Sequence, residues 1–114
     1  MSIQAYQMIQ TSTEEPRQAE YRLIAKITRA LIEAEQKGGK DLVNAVDWNR
    51  RLWLTLQLDL SSEENELPDM LKAQLISLAL WVDKHSSRVL RGELDVHSLV
   101  TVNRTIMEGL AGHM

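Results

Sequence analysis

A chain of 114 residues with 44% hydrophobic side chains is too apolar for intrinsic disorder and fits one domain, residues 1–114, with a buried core. The absence of cysteine excludes disulfides, thiol catalysis and cysteine-ligated metal, and a net charge of −3 disfavours bulk binding to nucleic-acid phosphates. Aromatics are scarce and Phe is absent, so the core must come from Leu, Ile, Val, Ala and Met, a set that leans towards helix.

In chain order, Ile3, Tyr6 and Ile9 (or Met8) share one side of residues Ser2–Gln10, which predicts a short N-terminal helix docked on the rest. Thr11, Ser12 and Thr13 interrupt it and offer caps for a long helix from about Glu14 to Lys37, with Pro16 tolerated near its start. Its inner stripe is Ile24, Ile27, Leu31 and Ala34, and Gln18, Arg22, Lys26, Arg29 and Glu33 form the polar face. Gly38 and Gly39 stop it.

The next helix starts near Lys40 or Asp41 and runs to Leu60. Its stripe is Leu42, Val46, Trp53, Leu56 and Leu60, interrupted by Asn49. A polar loop, Ser61–Glu66, follows, and Pro68 opens a helix reaching about Arg91. Leu71, Leu75, Leu78 and Val82 give its stripe, while Ile76, Ala79, Leu80 and Trp81 make it apolar over most of its circumference. Gly92 closes it. Asp95 caps a last helix from Val96 to about Leu110, whose stripe, Val96, Leu99, Ile106 and Leu110, is interrupted by Asn103. The expected fold is all-α: a compact bundle of four longer helices plus the short N-terminal one.

Two helices therefore carry the same device, an Asn inside an apolar stripe followed by an Arg: Asn49-Arg50 and Asn103-Arg104. A structural polar lock would bring Asn49, Trp53, Asn103 and Arg104 together in the core, because an unpaired buried amide is costly. The alternative places the amides along a groove, where they bond a partner's backbone. Trp53 lies on its stripe and belongs to the core. Trp48 and Trp81 lie off the main stripes and, with Arg50 and Arg51, are the candidate partner-binding residues. In the simplest reading Arg50 and Arg51 pair with Asp47 or cover apolar surface with their stems.

His85, His97 and His113 fall in no metal-binding spacing, and no phosphate loop or nucleophile elbow occurs, so no enzyme, cofactor or metal site is expected. The opening MSIQAYQMIQ lacks a basic region and a long apolar run. The most apolar segment, Leu75–Val82, is too short to span a bilayer, so a soluble, cytoplasmic protein is expected.

The segments Asn49-Arg50-Arg51-Leu52-Trp53, Asn65-Glu66-Leu67-Pro68 and Asn103-Arg104-Thr105-Ile106-Met107-Glu108-Gly109-Leu110, with Tyr6 and Pro16-Arg17-Gln18-Ala19-Glu20 before them, resemble the alphaproteobacterial FlaF family of flagellar biosynthesis regulators. The resemblance runs over nearly the whole chain and rests on the order and spacing of the motifs. It implies a small, helical, cytoplasmic protein needed for flagellin production and filament assembly. Such a protein would bind flagellin as a secretion chaperone, working with and partly against the repressor FlbT, and would have no cofactor. Regulation of flagellin mRNA, directly or through FlbT, is the alternative, although only Arg50-Arg51 and Arg88-Arg91 offer basic clustering for direct RNA contact. A homodimer through the spare apolar face is a third option.

Overall fold

The computed structural model describes residues 16–111, and the short helix expected over residues 2–10 lies outside them. Within them are four α-helices, α1 (Pro16–Lys37), α2 (Gly39–Leu60), α3 (Asp69–Leu90) and α4 (His97–Ala111), and no strand.

The glycine pair between α1 and α2 makes a joint rather than a loop. Gly38 donates to the Ala34 carbonyl at 2.8 Å and its own carbonyl accepts from Leu42 at 3.3 Å, so one helix ends where the next begins. Gly38 holds φ 64° and ψ −163°, and Gly39 holds φ 52°. The first combination is open in practice only to glycine.

The loop after α2 is ordered by its polar side chains. Ser62 Oγ accepts from the Glu64 N–H and Asn65 Oδ1 from the Leu67 N–H, at 3.2 and 3.0 Å, both side-chain turns that replace a backbone turn. Pro68 stands just before α3, as its fixed φ and missing N–H allow. At the other end of α3, Glu93 N–H reaches the Arg88 carbonyl and Gly92 N–H the Val89 carbonyl, the paired bonds of a Schellman stop. Asp95 Oδ1 accepts from the His97 N–H at 3.0 Å and caps α4.

Around the bundle, α1 packs against α2 and α4, α2 also packs against α3, and α3 meets α4 along a short edge. The pairs α1/α3 and α2/α4 lie on diagonals, with no close backbone approach. Ile27, Leu31, Val46, Val82, Val96 and Leu99 are fully buried at the centre.

The inner face of α3 departs from the predicted stripe. Ala79, Val82, Ser86 and Val89 are its buried residues, Leu75 and Leu78 are half-buried, and Leu71 is exposed. Leu71 shares an angular position with Val82, three turns away, but burial fades towards the start of the helix. The apolar circumference read from the sequence thus leaves Met70, Leu71, Leu80 and Trp81 facing outwards.

Candidate functional site

Two constellations stand out, one inside the bundle and one on its surface. Inside, Asn103 of α4 crosses the diagonal to α2. Its Oδ1 accepts from Trp53 Nε1 at 2.9 Å, and its Nδ2 donates to Asn49 Oδ1 at 2.8 Å and to Thr28 Oγ1 at 3.1 Å. Thr28 in turn donates its hydroxyl to the Ile24 carbonyl, at 2.7 Å. The polarity of this chain follows from its ends. An indole N–H only donates, so the oxygen of Asn103 must face Trp53 and its amide N–H groups must face acceptors. Asn49 and Asn103 are fully buried, and Thr28 and Trp53 nearly so. Asn49 Nδ2 is itself buried without a hydrogen-bond partner among the described residues, as are Ser86 Oγ and His85 Nε2.

Of the four residues grouped in the sequence as a polar lock, the structure brings together Asn49, Trp53 and Asn103. Arg104 stays outside and is exposed, since one residue further along a helix turns the side chain about 100° away. Thr28 is the member that sequence reasoning missed. Its only signal was a hydroxyl at i+4 from Ile24 on the buried side of α1.

On the surface, a groove of about 400 Å³ runs between α2 and α3. Trp53, Leu54, Ala79 and Leu80 give it apolar walls, while Asp47, Arg50, Arg51, Gln57 and Asp83 supply polar groups. Arg50 bonds Asp83 across the two helices at 2.8 Å, and Arg51 bonds Asp47 one turn back on α2, also at 2.8 Å. Both pairs are largely exposed and hold the groove near neutrality; such pairs contribute at most about 1 kcal/mol each.

Arg50 and Arg51 thus line the groove, whereas Trp48 and Trp81 do not. Trp48 is half-buried beside it in sequence. Trp81 lies 38% exposed and stacks on His85 one turn further along, ring centroids 4.7 Å apart. Asp83 carries no signal in the sequence, because its link to Arg50 depends on the pairing of α2 with α3. Leu54 was missed as well; its signal was an apolar residue off the inner stripe, repeated at Leu58, and both are more than half exposed.

Chemically, the groove suits an apolar face of another chain. Among the described residues no group of three or more His, Asp or Glu could hold a metal ion, and no helix is long and apolar enough to cross a membrane.

No curated protein and no solved structure matches this chain. The family model described as flagellar protein FlaF matches residues 2–110. The match covers nearly the full length, including all three motifs that carry the resemblance and both helices whose asparagines meet in the core, and the chain belongs to the FlaF family.

Proposed function

We propose that this flagellar protein binds flagellin in the cytoplasm as a secretion chaperone, and so promotes its synthesis and export for filament assembly. The groove between α2 and α3 is the observation that supports this reading. It is apolar along Leu54, Ala79 and Leu80, and its volume of about 400 Å³ suits side chains from one face of an amphipathic helix. Its arginines are each engaged by a carboxylate, which favours a protein occupant over RNA. FlbT would then act alongside this protein rather than through a shared RNA site.

Calorimetry with purified, folded flagellin tests the proposal. Saturable binding is expected, weakened strongly by Leu54→Glu at an exposed position, with thermal unfolding expected to be unchanged. Absence of binding at about 50 µM of each protein, with no heat at either of two temperatures, would overturn it.

A further inference from the structure

Helix α3 carries a second surface feature, which meets its groove side at Leu80. Met70, Ala73, Ser77, Leu80, Lys84, Arg88 and Arg91 recur at steps of three and four residues, and all seven are exposed. That spacing is a seam along one side of the helix, of the kind that pairs two helices. The seam is graded. Its first two thirds are apolar or small, with Met70 at 76% and Leu80 at 49% exposure and Trp81 beside them. Its last third is basic. Glu66, in the loop just before α3, and Asp69, the first residue of α3, are exposed and acidic. With Lys72 half-buried off the seam and Asp83 engaged by Arg50, the seam and its approach are acid at the start, apolar in the middle and basic at the end. Arg88 and Arg91 share one carboxylate, Glu93, at 4.0 and 2.8 Å, which leaves the basic end in excess when Lys84 is included.

We propose that a second copy of this chain docks on this seam, with α3 packed antiparallel against α3 about a two-fold axis. A helix reversed against itself sets Glu66 and Asp69 of one copy opposite Lys84, Arg88 and Arg91 of the other, twice, with the apolar stretches between them. A parallel pairing would set like charges together. The surface is thus complementary to its own reverse, which is the condition for an isologous interface. The charges set direction and register, and the apolar stretch supplies the attraction. One helix face buries less than the roughly 800 Å² per partner of a standard interface, so the dimer is weak and depends on concentration. This inference does not rest on flagellin binding, although Leu80 belongs to both surfaces.

Sedimentation equilibrium on the full chain reads the outcome. The mass of the wild-type chain should rise from 13.0 kDa towards twice that value with concentration, and the dissociation constant should rise when salt screens the end charges. Leu80→Glu should weaken the dimer by about tenfold or more with helicity unchanged by circular dichroism. A chain with Lys84→Glu and Arg88→Glu should be monomeric alone, as should one with Glu66→Lys and Asp69→Lys, and an equimolar mixture of the two should dimerise. A wild-type chain at single-chain mass up to its solubility limit would overturn the proposal. Two folded charge variants that each dimerise as the wild type does would overturn it equally.

Discussion

Asn103 and Asn49 meet at 2.8 Å in a fully buried position, from two helices whose backbones do not approach each other closely. The amide of Asn103 spans the diagonal of the bundle. With three of its hydrogen bonds made there, it is the hub through which α1, α2 and α4 are tied.

Asn103→Ala should therefore destabilise the fold more than Asn49→Ala. The first strands the Trp53 indole, Asn49 Oδ1 and part of the Thr28 hydroxyl, and the second removes one bond along with an amide N–H that is itself unpaired. A cost of about 3–4 kcal/mol against about 1–2 is expected, measured by urea unfolding. Equal costs would refute the hub.

Trp53→Phe keeps an aromatic ring but deletes the donor and part of the buried indole, so a small cavity adds to the lost bond. Asn103 Oδ1 would then be buried without its partner, at a cost of about 1–3 kcal/mol. Thermal unfolding checks this, with a fall of roughly 4–8 °C per kcal/mol at this chain length. A melting temperature within a degree of wild type would mean that the bond contributes nothing.

Gly38→Ala should cost about 1–3 kcal/mol through backbone strain alone. No atom lies within 4 Å of the added Cβ, so steric crowding does not contribute. Chemical denaturation should show the loss as a lower midpoint at an unchanged slope.

Arg50→Ala and Arg51→Ala remove exposed ion pairs and should each change stability by less than about 1 kcal/mol. Their effect belongs to the groove. Arg50, which reaches Asp83 on α3, should weaken flagellin binding more than Arg51, whose partner lies on its own helix. Calorimetric titration of the two variants, beside their unfolding curves, separates the contributions.

Much of the fold was open to reading in the chain itself, because helix periodicity, two glycine stops and an aspartate cap are local signals. Helix limits came within about two residues of those observed for α2, α3 and α4. The interrupted stripes at Asn49 and Asn103 were equally legible, since polarity on an apolar face is visible in spacing alone. What could not be read was which helices lie beside each other. Asp83 gains its meaning from the α2–α3 pairing, and Thr28 from the arrival of α4 against α1. The exposure of Leu71 and Leu80 has the same origin: periodicity tells which side of a helix is apolar, not how much of it a neighbour covers.

A further consequence attaches to the diagonal amide network. Four helices joined by short turns can close into a bundle of either hand, and aliphatic side chains fill the two mirror arrangements almost equally well. Thr28, Asn49, Trp53 and Asn103 converge in the arrangement observed. Any arrangement that parted these residues would bury the same donors and acceptors unpaired, so the network favours a packing of α1, α2 and α4 that keeps them together.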